Sequence, residues 1–248
     1  MMKEILAQDH AQYREAALAC CDVVYTLPIA EGVQAGRIFT LGDTVLFWHF
    51  CGFAYLAGSP DADALAELRD FILQADTRFL LITDNSAVTA FFADDPAFQI
   101  SRRVYYAGVR DVPPPALPEG FTLRRIDAER LPRLHGRIVP AFSWDSPERF
   151  LQRGFGFCIT QGDCGAAWAF TAAISSLHCD IGVETVPAFR GMGLAKCAAY
   201  AVLQEIISSG RTPCWAHHEA NIGSQKIAQA LGFQRDKICH VIQVRSEK

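Results

Sequence analysis

The stretch VETVPAFRGMGLAK, residues 183–196, holds a proline, an arginine, two glycines and the start of an apolar run. Pro187 has no N–H for a strand ladder, so a strand arriving from Val183 must end near it. A helix then starts about where the glycines end. The first turn of a helix presents unpaired N–H groups and about half a positive charge, which together attract an anion. Gly191 and Gly193 bring no Cβ, so a phosphate can approach the backbone closely. Arg190 adds a permanent positive charge beside them. This chemistry is a phosphate or pyrophosphate cradle made by Arg190, Gly191, Met192, Gly193, Leu194 and Ala195. Three cradle patterns compete. The G-x-x-x-x-G-K-[ST] loop is absent, and G-x-G-x-x-G fails because Lys196 stands where its third glycine belongs. The acid that second pattern wants roughly 20 residues on is also missing, since Glu205 comes too early. The third pattern, R-x-x-G-x-[GA], is met by Arg190, Gly193 and Ala195.

A second group of residues could move protons. Asp180 and Glu184 lie an even number of positions apart in HCDIGVETV, which in a regular strand puts both carboxylates on one face. Two acids held close shift each other's pKa. His217 and His218 end the later run TPCWAHH, with side chains that titrate near neutrality, and alternation lets only one of them face a given side. Each has a plainer reading: a strand acid paired with an arginine or a helix terminus, or a histidine at a surface strand end. Cys158 and Cys214 stand in no Cys–His–acid pattern, so they read as buried thiols. The chain has nine cysteines and no C-x-x-C pair, which points to reduced thiols in a reducing compartment and to no metal site.

These residues need elements to position them. GLAKCAAYAVLQEIISS carries Leu194, Ala198, Val202 and Ile206 on one helical stripe, and Gly210 is placed to stop it. NIGSQKIAQALGF is a second helix, with Asn221 as its cap and Gly232 at its end. Strands at FTLRRID, GFGFCIT, CGAAWAFTAAIS, HCDIGVETV, TPCWAHH and KICHVIQV complete this half, and DAERLPRLHGRIV reads as a broken helix. RDVPPPALPEG, with four prolines, is the linker. The expected organisation is an N-terminal α/β domain over residues 1–112, a linker over 113–120, and a second domain over 121–248. The first half starts with an expected helix over residues 3–20. Strands follow at RIFTLGD, TVLFWHF and GFAYLAG, then the helix DADALAELRDFILQA, the strand RFLLITD, the short helix SAVTAFFADD and the strand QISRRVYYAG. The order of strands, helix, strand, helix, strand thus occurs twice. A degenerate copy of the second half and an unrelated domain both fit this order.

Half the residues are apolar and the net charge is -4, so this is globular composition with no basic face for nucleic acid. The longest uncharged stretch, TVLFWHFCGFAYLAGSP, is shorter than the ~20 residues a membrane helix needs. The N-terminus carries acids and no uninterrupted apolar core, so it is no signal peptide. A soluble, cytoplasmic protein is expected.

The R-x-x-G-x-[GA] pattern in this setting resembles the coenzyme A signature of the GNAT N-acetyltransferase superfamily. Asn221-x-x-Ser224 and Leu231-Gly232-Phe233 resemble its following motif. The resemblance covers about residues 120–244, and the whole chain is similar to two-domain members with a degenerate first half. Its corresponding turn, LAGSPDADA, has no arginine and one glycine, so coenzyme binding there is expected to be lost. The resemblance implies an α/β (α+β) fold with a mixed, mostly antiparallel sheet flanked by helices, and two neighbouring strands that splay apart. It implies that backbone around Val183 and Thr185 pairs with pantetheine, that N–H groups from Met192 to Ala195 hold pyrophosphate, and that Asn221 and Ser224 line the other side. Phe142 and Trp144, in PAFSWDSPERF, fall where the acceptor site is shaped. The aromatics Trp48, Phe50, Phe53 and Tyr55 read as a packed sheet face.

The implied activity is direct acetyl transfer from acetyl-CoA to a primary amine of a small, unidentified acceptor, with Glu184, Asp180 and His217 as candidates for the proton-handling role. The expected partners are that acceptor, no nucleic acid and no membrane; a homodimer stays open. One position departs from the family: its tyrosine general acid is replaced by Ala228. That departure keeps a second reading open, a non-catalytic acyl-CoA-binding sensor or assembly module. A third is a nucleotide-dependent enzyme that uses the cradle for another pyrophosphate.

Overall fold

The computed structural model describes residues 2–245. The first half runs β1 (Lys3–Ile5), a 3-10 turn (Ala7–Tyr13), α1 (Arg14–Leu18), α2 (Val23–Ala30), β2 (Gly36–Leu41), β3 (Thr44–His49), β4 (Phe53–Ala57), α3 (Ala62–Leu73), β5 (Leu80–Thr83), α4 (Ser86–Ala93) and β6 (Phe98–Val109). The second half runs β7 (Thr122–Arg125), 3-10 turns at Leu131–Arg133 and Pro140–Phe142, α5 (Pro147–Arg153), β8 (Gly156–Gln161), β9 (Cys164–Ile174), β10 (His178–Thr185), a 3-10 turn (Pro187–Phe189), α6 (Leu194–Ser208), β11 (Thr212–His218), α7 (Ile222–Ala230) and β12 (Phe233–Val244). Among the described residues no helix is long and apolar enough to cross a membrane.

The chain divides into two compact units that are not contiguous in sequence. Among the described residues, one takes the chain up to Tyr105, residues 218–220 and residues 237–245; the other takes residues 106–217 and 221–236. In the first unit β1, β2, β3 and β4 pair antiparallel in series, β5 joins β4 in parallel, and β12 pairs antiparallel with β5 through His240, Val241 and Ile242. In the second unit β7, β8, β9 and β10 pair antiparallel in series, and β11 joins β10 in parallel. Each unit thus has the mixed, mostly antiparallel sheet expected of the fold, and the element order repeats. The residues that close the first unit's sheet beside β5 come from the far end of the chain. The linker stretch has no regular structure, and Cys197 Sγ donates to the Ala116 carbonyl within it.

The first unit's core follows from its sequence periods. Leu65, Leu68 and Ile72 form the buried stripe of α3 and pack with Phe39, Trp48, Leu81, Phe92 and Ile242. The expected helix over residues 3–20 is not one element. Lys3–Ile5 pairs with β2, a 3-10 turn follows, and α1 is five residues long. A second helix, α2, was not anticipated. Seven of its eight residues are buried, so it shows no apolar and polar alternation, and Pro28 lies inside it. Its start is set by Asp22, whose carboxylate accepts from Val24 N at 3.2 Å and from the Tyr55 hydroxyl at 3.1 Å. Burial pushes the Asp22 carboxyl up, and the Arg103 charge beside it acts against that.

Candidate active site

The strands β10 and β11 share only three rungs: His178 with Thr212, Cys179 with Pro213 and Asp180 with Cys214. Beyond Asp180 the edge of β10 that faces β11 has no partner there, so Ile181–Thr185 and Trp215–His217 flank a gap. The cause lies one strand away. Between Asp180 and Ile181 the pairing with β9 slips by one residue, leaving Ala172 as an extra residue opposite them. An extra residue bends a strand pair and increases its twist locally. The unpaired edge includes Val183 and Thr185, both half-buried.

At the end of this edge stands the cradle. Pro187 opens a 3-10 turn, Arg190 is extended and exposed, and α6 starts at Leu194 with Gly193 as its N-cap. Gly191 and Gly193 have φ of +84° and +77°, which L side chains rarely adopt, and a Cβ on either would meet no atom within 4 Å. Side chains cap most of the other helices: Asp22 on α2, Asp61 on α3, Asn85 on α4, Ser146 on α5 and Asn221 on α7. The longest helix, α6, has no side-chain cap. Its N-terminal N–H groups are therefore left without a side-chain cap beside the exposed Arg190 and Met192, with Leu194 and Ala195 buried. The corresponding helix of the first unit is closed to an anion by its own acid. Asp61 Oδ1 accepts from Ala64 N at 2.8 Å, and Asp63 adds a second negative charge in the first turn.

The other side of the gap is built by α7. Asn221 Oδ1 accepts from Ser224 N at 3.1 Å, and Trp215 Nε1 donates to Ser224 Oγ at 3.0 Å. Ser224 therefore ties the helix to β11, while Asn221 is exposed. Gly232, φ +84°, ends the helix where a Cβ would overlap the Arg110 carbonyl; the Arg110 N–H in turn donates to the Gly232 carbonyl at 3.0 Å.

The two candidate acids are placed differently. Asp180 is buried at the last rung of β10 and β11. Glu184 lies past the bulge, half-buried opposite Trp168. Its carboxylate accepts from Arg137 N at 3.2 Å and from Ile138 N at 2.5 Å. Trp168 Nε1 donates to the Ile138 carbonyl at 2.7 Å. A strand acid and a strand indole thus clamp the backbone of residues 137 and 138. The stretch read as a broken helix keeps only the Leu131–Arg133 turn, and its later N–H groups go to Glu184. Sequence reasoning did not find this clamp; its one local signal was Gly136. A Cβ there would stand 2.5 Å from Glu184 Oε2 and 2.7 Å from its Cδ. Gly136→Ala should displace the carboxylate and lower stability by about 1–2 kcal/mol, the cost of weakened charge-assisted hydrogen bonds. Urea unfolding checks this, and an unchanged midpoint would show the clamp to be energetically idle.

His217 is the histidine of the pair that points inward. It is buried, with Nε2 3.1 Å from the Tyr106 hydroxyl, and burial pushes the Tyr106 phenol up. His218 is exposed and its Nδ1 accepts from Ala220 N. Trp144 is 2% exposed; it donates to the Thr171 carbonyl at 2.8 Å and packs edge-on against Phe150. That leaves it almost no surface for an acceptor, whereas Phe142 is half-buried. Ala228 is fully buried in α7. All nine cysteines are free thiols, and burial pushes Cys158 up, away from the thiolate a nucleophile needs. Among the described residues no group of three His, Cys, Asp or Glu side chains is arranged to hold a metal ion.

The pattern of the GNAT acetyltransferase family matches residues 28–241. The uncharacterized N-acetyltransferase YdfB of Bacillus subtilis (strain 168) is 27% identical over 120 residues, covering 48% of this chain and 46% of that protein. The match therefore spans less than half the length of that relative. Among solved structures, a GCN5-related N-acetyltransferase-like protein from Streptococcus suis 89/1591 is 22% identical with a TM-score of 0.73, covering 97% of this chain and all of that one. A GCN5-related N-acetyltransferase from Kribbella flavida is 18% identical with a TM-score of 0.64 and 96% coverage of both chains. A tandem GNAT protein from the clavulanic acid biosynthesis pathway is 12% identical with a TM-score of 0.60 and full coverage of both chains.

Proposed function

The chain belongs to the GNAT acetyltransferase family, and on that premise we propose that its second unit transfers the acetyl group of acetyl-CoA to an amine. One observation carries this reading: the unpaired edge of β10 leads directly into the uncapped N-terminus of α6. A strand edge can pair with the amide arm of pantetheine, and the helix N-terminus can hold a pyrophosphate. Arg190 supplies charge, Gly191 and Gly193 supply access, and Asn221 is exposed on the α7 side. The thioester itself supplies the activated acyl group.

The chain's residues must then handle a proton. An amine with pKa near 10.4 is charged at neutral pH, and neutralising it costs roughly 4–5 kcal/mol. Glu184, on the gap-lining part of β10, is the acid best placed to attract the ammonium. His217 and Tyr106 form a buried hydrogen-bonded pair on the β11 side. Asp180, buried at the last rung, is less accessible. No protein acid stands at Ala228, and a thiol of pKa near 8.5 is a tolerable leaving group without one.

We read the first unit as a degenerate copy of the second. It repeats the element order and keeps a short parallel ladder between β4 and β5, with only Phe53–Leu80 and Ala54–Leu81 paired. Its α3 cradle is closed by Asp61, so one coenzyme per chain is expected.

Thermal unfolding with acetyl-CoA, CoA and NAD tests the assignment. A ligand at a hundred times its Kd adds about 2.7 kcal/mol, or a rise of several degrees for a chain of this length. Acetyl-CoA and CoA should produce it and NAD should not; no rise with acetyl-CoA overturns the reading. The buried Ala228 favours one alternative, a coenzyme-binding module without turnover. A coenzyme-induced rise together with no thiol release across an amine panel would select it.

A further inference from the structure

We infer that the acceptor is an amine that also carries a carboxylate, an amino acid or a short peptide, and that Arg137 is the residue that selects it. The inference rests on the acetyl-transfer reading and adds the acceptor's chemical class to it.

The backbone of Arg137 is fixed from two strands. Its own N–H and that of Ile138 donate to Glu184, and the Ile138 carbonyl accepts from Trp168. Gly136 permits this approach, since a Cβ there would collide with the carboxylate. Arg137 is therefore rooted on the part of β10 that lines the gap. Its side chain is exposed and makes no ion pair among the described residues. The other arginines of the same segment are paired: Arg130 with Asp127, and Arg133 with Glu129 at 3.0 Å. His135, also exposed, adds no negative charge.

An ionised carboxylate has about four lone-pair positions, and the two N–H groups leave some of Glu184's available to an ammonium. A guanidinium is a planar fork that takes a carboxylate in two parallel hydrogen bonds. The Glu184 carboxylate is thus hydrogen-bonded to the backbone of the residue that carries the guanidinium, so a negative and a positive group belong to one anchored unit. A molecule with an ammonium and a carboxylate complements both. A diamine would bring its second positive charge towards Arg137, and a monoamine would leave the guanidinium unused.

The test uses the full chain with acetyl-CoA and reads free thiol released. The acceptors are glutamate, leucine and glycylglycine, each beside its C-terminal amide, and putrescine. The free acids should exceed their amides by 10-fold to 100-fold in kcat/KM, mainly through KM. Arg137→Ala should bring each acid to within about threefold of its amide, and Arg137→Lys should keep part of the preference. The main-chain clamp does not involve the side chain, so circular dichroism and the acetyl-CoA melting shift of both variants should match the parent. Amides or putrescine turning over as well as the acids, or Arg137→Ala slowing both alike, overturns the inference and leaves acetyl transfer standing. No turnover with any acceptor overturns both, and the melting shift then tells whether coenzyme binding survives.

Discussion

Gly193→Val should abolish the rise in melting temperature produced by acetyl-CoA while the protein still folds. Gly193 caps α6 with φ +77°, and a Cβ there would meet nothing in the protein within 4 Å. The fold cost is therefore mainly backbone strain, about 1–2 kcal/mol for an L residue in the left-handed region. Out of a typical 5–15 kcal/mol, that leaves a folded chain. The open space above Gly193 is the space the cradle offers to an anion, and a branched side chain on the cap position fills it. Affinity for acetyl-CoA should fall at least 100-fold. Gly210 gives the matched control: it lies just past the C-terminal end of the same helix, with φ +75° and nothing within 4 Å of a Cβ. Gly210→Val carries similar strain and should lower the melting temperature by a similar amount, yet keep the acetyl-CoA shift. If Gly193→Val kept the shift as well, the α6 N-terminus would not be where the pyrophosphate binds.

The parts of this site that were legible in the sequence are those with local causes. Pro187, Gly191 and Gly193 dictate where a strand ends and a helix begins. Asn221 and Gly232 mark the ends of α7, and the structure bears out both. The element order followed from the same punctuation and from the two periods of 2 and 3.6, while the mixed, mostly antiparallel sheet was implied by the family resemblance. What was not legible depends on contacts distant in sequence. The clamp joins Glu184 to backbone N–H groups 46 and 47 positions away, and a backbone donor has no signature in a one-letter string. Even spacing put Asp180 and Glu184 together, but a slip in the pairing with β9 falls between them, and Glu184 lies on the far side of it with its carboxylate on the loop. The resemblance placed Trp144 at the acceptor site, and its actual partner, the Thr171 carbonyl, lies on β9, out of reach of a local reading. The helix α2 is buried nearly all round, which removes the polar face that would have revealed it. The residues of β12 that pair with β5 join an element more than 150 positions earlier, a pairing that no local rule encodes.

The first unit should lose stability as the pH falls from 7.5 to 5, and His49 should be the main cause. His49 is 1% exposed, its ring packs edge-on against Tyr25 at 5.2 Å, and burial pushes its pKa down to about 3. Nδ1 accepts from Cys51 N at 3.1 Å, so the neutral ring carries its proton on Nε2, which is buried and has no partner among the described residues. A second proton would put an uncompensated charge in the core. In the unfolded chain the same ring takes that proton near pH 6.5. Below 6.5 the unfolded state therefore binds more protons than the folded one, and stability falls with pH until about 3, where the folded ring titrates too. At pH 5 the His49 contribution to that loss is about 2 kcal/mol relative to pH 7.5. The carboxylates that ion pairs and hydrogen bonds hold low, Glu4, Asp95 and Asp127, act below this window. Asp22 acts against the effect. Burial raises its pKa, so its contribution favours the folded state at lower pH and fades as pH rises through its folded value. Urea unfolding across this range should show the fall in the parent protein and a flatter profile in His49→Asn, whose side-chain oxygen can still accept from Cys51 N. Asp22→Asn should steepen the fall by removing the opposing group. An undiminished slope in His49→Asn would assign the acid sensitivity to another group and show that His49 is protonated in the fold.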